Sequence, residues 1–210
     1  MTRTDVLVTV LAAIFIFVFL AAILIPVLAA SKRSASRINC ISNIKQVNIS
    51  FRIWEGDNND SYPMGVSTSI GGAMECVAKG DLIHCFLRVS NEMSTTKILI
   101  CPNDTNRTYA SNFDALKGTN ISYFIGVDAT NEANPGLLLT GDDNFAIGGV
   151  PVKSGLLELS ANTPISWTST RHKFRGNLGF ADGSVAQVSG SGLQSTLQKT
   201  GLATNRLAIP

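Results

Sequence analysis

A histidine and an aspartate with nine residues between them, His172 and Asp182, carry the residue types of acid–base chemistry, and Gly183 follows directly. A carboxylate that orients an imidazole is half of a nucleophilic triad. The other half is missing: no Gly-x-Ser-x-Gly elbow occurs, and the second histidine, His84, lies in no motif. No catalytic residue is therefore expected. The pair is expected to serve structure, with His172 and Asp182 close together across strands, Asp182 shaping a turn, His172 bonding the sheet and Gly183 supplying a positive φ.

The four cysteines, Cys40, Cys76, Cys85 and Cys101, are the next chemically capable set. Outside the cytoplasm they permit two disulfides in any of three connectivities, and Cys76 with Cys85 closes the shortest loop. Four unpaired, partly buried thiols are the alternative. A zinc site read from pattern needs closer spacing, such as Cys-x2-Cys, even with His84 included, so neither metal nor cofactor is expected. The run Glu55-Gly56-Asp57-Asn58-Asn59-Asp60 is rich in oxygen but lacks the spacing and distal glutamate of an EF-hand, and reads as a turn. The Gly71-Gly72 and Gly148-Gly149 pairs have no phosphate-loop lysine and read as loops.

The elements that must position these residues begin with an apolar run from Val6 to Ala30, broken only by Thr9 and ended by Lys32 and Arg33. At about 1.5 Å per residue such a helix reaches roughly 37 Å, enough to cross a ~30 Å hydrocarbon core with some tilt. A secretory signal has a shorter apolar core of roughly 7–15 residues, although Leu28-Ala29-Ala30-Ser31 imitates a cleavage site. Pro26 removes one backbone bond and bends the helix. Beyond the span, Ala35, Ile38, Ile41, Ile44, Val47, Phe51 and Trp54 recur at helical spacing between charges, so the helix continues and becomes amphipathic. The expected division is a transmembrane helix over 1–30, an amphipathic stem over 31–56 and a β-rich head over 57–210. A net charge of +2 gives no support to nucleic acid as a partner.

In the head, apolar runs at Leu82–Val89, Lys97–Cys101, Ile121–Val127, Gly136–Thr140, Asn144–Val150, Ser154–Leu159 and Asn177–Ala181 read as strands between turn signals. Asp182-Gly183 before Ser184-Val185-Ala186-Gln187-Val188 predicts a hairpin. A short helix is expected around Gly192–Lys199, stopped by Gly201. The fold class is α+β: a long N-terminal helix packed on an antiparallel sheet.

Several separated segments together resemble the bacterial prepilin-like proteins that carry a His-x9-Asp-Gly motif, abundant in planctomycetes and verrucomicrobia. Met1-Thr2-Arg3-Thr4-Asp5-Val6-Leu7-Val8 looks like a worn form of the family's amino-terminal pattern, with Asp5 in place of its glutamate. Ser31-Lys32-Arg33 through Arg37-Ile38-Asn39-Cys40-Ile41-Ser42-Asn43-Ile44-Lys45-Gln46 is similar to its basic stretch and Cys-Leu-Ser-Asn-Leu-Lys-Gln signature. Cys101-Pro102-Asn103-Asp104, Ser122-Tyr123-Phe124-Ile125-Gly126 and Thr140-Gly141-Asp142-Asp143-Asn144 match Cys-Pro-x-Asp, Ser-Tyr-x-x-Gly and Gly-Asp-x-Asn patterns. His172 through Asp182-Gly183 supplies the last.

The resemblance implies a pilin-like fold related to the pseudopilins of type II secretion and type IV pilus systems. It implies a single-pass cell-membrane protein with its head in the periplasm or outside, whose partners are the lipid bilayer and the stems of other pilin-like subunits. Asp5 would then neutralise a neighbouring subunit's terminal amine; otherwise it marks the interfacial end of the span. The family's basic leader is missing from this sequence, and Met1 favours uncleaved insertion. The basic cluster Lys32, Arg33, Arg37, Lys45 and Arg52 would by charge alone hold the head in the cytoplasm, and here the resemblance is followed instead. A monomeric, membrane-tethered binding module for an envelope glycan or protein is the alternative function.

Overall fold

The computed structural model describes residues 3–210, without the side chains of Thr9, Ala29, Ala30, Lys32, Arg33 and Ser34. Met1 and Thr2 of the amino-terminal pattern, and the Lys32 and Arg33 side chains of the basic stretch, lie outside the described residues. The protein is α+β. Helix α1 (Arg3–Asp57) contains Pro26, and the chain divides after Ile38 into an apolar helical unit and a compact unit, Asn39–Pro210. The segment Arg3–Leu28 is long and apolar enough to cross a membrane.

Within the compact unit α1 buries Cys40, Ile44, Val47, Asn48, Phe51, Trp54 and Glu55. That is a one-sided stripe at spacings of three and four. The stripe begins at Cys40 rather than on the expected Ile38 and Ile41: Ile38 is exposed, and Ile41 is half-buried. The helix ends where Asn59 and Asp60 adopt left-handed φ of 55 and 51°, so the polar run is a turn as expected.

Strands β1 (Tyr123–Gly126), β2 (Leu138–Asp142), β3 (Phe145–Ile147), β4 (Val150–Pro151), β5 (Gly155–Ser160), β6 (Ile165–Trp167), β7 (Arg175–Phe180), β8 (Val185–Ser189) and β9 (Thr204–Ile209) pair antiparallel throughout. They form a sheet of order β5-β9-β1-β2-β7-β8 and a smaller one of order β4-β3-β6. Along β1, Ile125 joins the core under α1, while Phe124 joins the opposite core with Phe145, Trp167, Leu193 and Leu197. The last two belong to helix α4 (Gly192–Lys199), which forms where expected.

Two expected strands are absent from the fold. The run at Leu82–Val89 is a helix (α3, Ile83–Arg88) that follows a shorter one (α2, Met74–Val77), and Lys97–Cys101 lies in a 3-10 turn over Thr96–Leu99. A short apolar run has no period that separates strand from buried helix. Here Cys85, Phe86 and Val89 point one helical face into the core, and Phe86 meets Phe51 edge-on with ring centroids 6.3 Å apart.

The most consequential irregularity is in β2. Leu138 pairs with Phe180, yet Thr140 pairs with Gly179, so one extra residue is accommodated between them. A bulge of this kind exchanges the faces of all residues beyond it. Leu138 joins the core remote from α1, whereas Thr140 donates a 2.6 Å hydrogen bond to Asn48 of α1. Gly126 makes room for the bulge: a Cβ there would lie 1.7 Å from the Leu138 carbonyl oxygen.

Candidate functional site

The bulge turns Asp142, at the end of β2, toward α1, beside its cross-strand partner Tyr123. Three further side chains meet it there. Cys40 comes from the buried stripe of α1. Cys101 opens the tight turn Cys101-Pro102-Asn103-Asp104, closed by a 2.8 Å bond from the Asp104 N–H to the Cys101 carbonyl. His172 comes from the loop ahead of β7, where Arg171, Lys173 and Phe174 adopt left-handed φ of 58, 51 and 61°. That conformation is costly for residues with a side chain, and it directs His172 inward.

One donor atom from each of Cys40, Cys101, Asp142 and His172 lies within 4.8 Å of the other three. Cys101 Sγ is 3.2 Å from His172 Nε2, His172 Nε2 is 3.4 Å from Asp142 Oδ2, and Cys40 Sγ donates to Asp142 Oδ1 at 3.4 Å. The four are 0–3% exposed. Asn177 of β7 donates to Asp142 Oδ2 through its backbone N–H at 2.7 Å and its side chain at 2.8 Å. The Asn103 amide stands 3.3 Å from His172 Nδ1, and the Tyr123 hydroxyl 3.5 Å from Cys40 Sγ.

Burial and proximity perturb every group in the quartet. Hydrogen bonding with Cys40 holds the Cys101 thiol down at about 5 against the opposing effect of burial, and His172 adds to it. Burial pushes the Cys40 thiol well up. Burial and then the charge on Cys101 raise Asp142 to about 7. At His172 burial works against the charged form, but the bond to Cys101 and the charge on Asp142 outweigh it and raise the imidazole. Cys101 and His172 thus have the polarity of a thiolate–imidazolium pair. Both side chains are buried, and Cys101 borders a cleft of about 620 Å³ whose lining includes Asn43, Ile100 and Arg107.

Beside the quartet lies a balanced ion network. Arg171 bonds Asp143 and stands 3.0 Å from Asp104, while Arg107 reaches Asp143 at 2.7 Å and Asp104 at 3.4 Å. These residues line a polar cleft of about 570 Å³ with Asn103, Asn144 and Thr168.

Comparison with protein-family models, curated proteins and solved structures finds no match for this chain. Its site is therefore read from its own residues.

His172 belongs to the quartet; Asp182 and Gly183 do not, which corrects the expected closeness of the histidine and the aspartate. His172 precedes β7 and Asp182 follows it, and the six-residue strand between them spans about 20 Å. Asp182 does shape the turn, its Oδ1 accepting from the Ser184 N–H at 2.8 Å. Gly183 has φ +79°, and its carbonyl accepts from Lys45 Nζ of α1 at 2.6 Å. Cys76 on α2 and Cys85 on α3 are free thiols, the alternative to the possible disulfide between them; Cys85 is turned into the core by the helix that replaces the expected strand. Asp5 is exposed in the first turn of α1, where the helix dipole favours an acid.

Sequence reasoning missed Cys40, Cys101 and Asp142 as partners of His172. The Cys-x2-Cys rule does not reach ligands brought by four separate elements. A signal was present, since each missed residue lies inside a segment quoted for the resemblance, and those segments converge on this one point.

Proposed function

We propose that the chain is a membrane-anchored structural subunit of pseudopilin type, whose apolar helix packs laterally with other stems in the bilayer and whose β head is displayed outside the cytoplasmic membrane. The observation that carries this reading is the exposure of the apolar segment. The large apolar side chains from Val6 to Leu28 stand 47–73% exposed, and the most apolar stretch of Arg3–Leu28 is 0% buried. At roughly 1.5–3 kcal/mol for each such side chain fully buried, keeping this surface in water costs tens of kcal/mol. A core helix of a soluble protein hides such a surface within its own fold. The second half of α1 does so, with a buried stripe from Cys40 to Glu55.

A single helix that runs from the apolar segment into the core of the head supports a permanent anchor over a removable signal. The resemblance supports the pilin-like type and the outward head, and the buried quartet favours a structural over a catalytic role. Ile14, exposed in the apolar segment, offers a test. In native membranes Ile14→Cys is expected to give stem-to-stem disulfide dimers on mild oxidation. Monomer alone, at a level where the protein is membrane-bound, supports the tethered binding module instead. Protease added to spheroplasts is expected to remove the head, and protection of the head overturns the proposed topology.

A further inference from the structure

We infer that Cys40, Cys101, Asp142 and His172 form a closed, four-coordinate site for a divalent transition metal of zinc character. The donor set is two sulfurs, one imidazole nitrogen and one carboxylate oxygen, converging from α1, the Cys101 turn, the end of β2 and the loop before β7. Soft thiolate with imidazole selects zinc-like ions over magnesium or calcium, and four protein ligands make a structural site with no open position.

The distances have the pattern of a shared centre. A tetrahedron with metal–sulfur bonds of about 2.3 Å and metal–nitrogen or –oxygen bonds near 2.1 Å has ligand–ligand edges of roughly 3.3–3.8 Å. The sulfur–nitrogen edge from Cys101 to His172 is 3.2 Å, slightly short of that range, and the sulfur–oxygen edge from Cys40 to Asp142 Oδ1 is 3.4 Å; His172 Nε2 stands 3.4 Å from the other carboxylate oxygen, and one donor atom from each residue lies within 4.8 Å of the other three. Hydrogen bonding alone accounts poorly for this crowding. His172 Nε2 lies within 3.5 Å of Cys101 Sγ, Asp142 Oδ2 and Asn177 Nδ2 at once, and one ring nitrogen serves a single linear partner. Atoms that aim at a common point, rather than at one another, give this arrangement.

The surroundings suit an ion as well. Asn177 holds the Asp142 carboxylate with two N–H donors, the kind of outer contact that orients a ligating carboxylate. Asn103 lies against His172 Nδ1; with its amide oxygen turned to the ring it accepts the Nδ1–H, leaves Nε2 free for the metal and fixes the tautomer. Of the left-handed residues around His172, Arg171 is held by its ion pairs with Asp104 and Asp143, while Phe174 is exposed and contributes little by burial; metal–ligand bonds at His172 would offset the remaining cost.

The test uses the full chain in detergent micelles, reduced and stripped of metal under anaerobic conditions, then titrated with cobalt(II). The expected result is one equivalent of cobalt per chain, with intense visible d–d bands, a thiolate-to-cobalt charge-transfer band, and displacement of both by zinc. Cys101→Ser and His172→Ala each replace a ligand and are expected to weaken binding by more than the roughly 10–100-fold typical of losing an outer-shell partner. Cys76→Ser, outside the quartet, leaves the titration unchanged. Should the ligand variants misfold, alkylation of the wild type at a denaturant concentration where the metal-free chain exposes its buried thiols decides: zinc is expected to protect Cys40 and Cys101 there and not Cys76, and equal alkylation with and without zinc overturns the inference. Absence of a thiolate–cobalt band from the fully reduced wild type overturns the inference. So does a Cys40–Cys101 disulfide in protein acid-trapped directly from cells.

Discussion

Gly126→Ala tests whether the bulge in β2 builds the quartet. The alanine Cβ would lie 1.7 Å from the Leu138 carbonyl oxygen, a backbone atom that cannot rotate away. Relief requires β1 and β2 to separate by more than an ångström, or β2 to lose its bulge. Separation adds overpacking of about 1–3 kcal/mol. Loss of the bulge returns Thr140 and Asp142 to the face remote from α1, which leaves Asn48 and Asn177 with unmet buried groups at about 1–3 kcal/mol. With two buried groups unmet, the loss by the second route is about 2–6 kcal/mol, a large part of the stability of a typical domain. Thermal unfolding followed by tryptophan fluorescence reads both sides of the sheet, because Trp54 lies in the core under α1 and Trp167 in the opposite one. At about 2–4 °C per kcal/mol for a chain of this size, the midpoint is expected to fall by about 4 °C or more, and thiol-reactive dye is expected to reach Cys40 and Cys101. A variant that melts within about 2 °C of the wild type, with both thiols still protected, refutes the assignment of Gly126 and of the bulge.

Three other perturbations have defined outcomes. Thr140→Val leaves the buried Asn48 Oδ1 unpartnered and is expected to cost about 1–3 kcal/mol; the double variant Asn48→Leu/Thr140→Val should cost less than the sum by about 1 kcal/mol, and additivity in denaturant melts refutes the coupling. Phe17→Arg puts a charge in the middle of the apolar segment at about 2.5–3.5 kcal/mol, so the membrane-bound fraction is expected to fall; an unchanged carbonate-resistant fraction argues against a spanning helix. The Glu75 carboxyl is held down to about 2 by the Ser67 hydroxyl at 2.6 Å and the Thr68 N–H at 2.7 Å. Its contribution is present above the ordinary carboxylate pKa and is lost as pH falls toward 2. Ser67→Ala is expected to move its NMR titration midpoint upward, and an unmoved midpoint excludes that hydrogen bond as the main cause.

The stem, the Asp-Gly hairpin and α4 were legible because each is specified locally, by helical spacing, a turn dipeptide or a stop glycine. The strand expected at Leu82–Val89 failed for want of period: a run apolar at nearly every position fits any buried element. The buried stripe begins at Cys40 rather than at Ile38 and Ile41 because its onset is set by packing on Cys101 and Tyr123, which apolar spacing along the helix does not reveal. The quartet was illegible for a different reason. By strict alternation Asp142 shares a face with Leu138, and only the bulge, set by packing between three strands, brings it to α1. No inspection of the Gly141-Asp142-Asp143-Asn144 segment alone predicts that exchange. His172 stood out in the sequence, but its spacing to Asp182 suggested a partner that the intervening strand holds at the far end.

That spacing acquires a physical meaning once α1 and β7 are considered together. His172 enters the quartet beside Cys40; at the other end of β7 the Phe180 and Ser184 carbonyls accept from Asn48, and Gly183 lies against Lys45 and Arg52. From Cys40 the helix rises about 8 Å to Lys45, about 12 Å to Asn48 and about 18 Å to Arg52, against the roughly 20 Å length of β7, so the strand crosses the helix obliquely. The two ends of the His-x9-Asp-Gly segment are thus fastened to the same helix about one to three turns apart. A single residue removed from β7 would shorten the strand by about 3.3 Å and turn the side chains beyond it to the opposite face. One fastening would then be lost whichever end the strand kept. The nine-residue interval is, on this account, the length of strand that lets the sheet grip α1 at two places, and it needs no chemistry between the histidine and the aspartate.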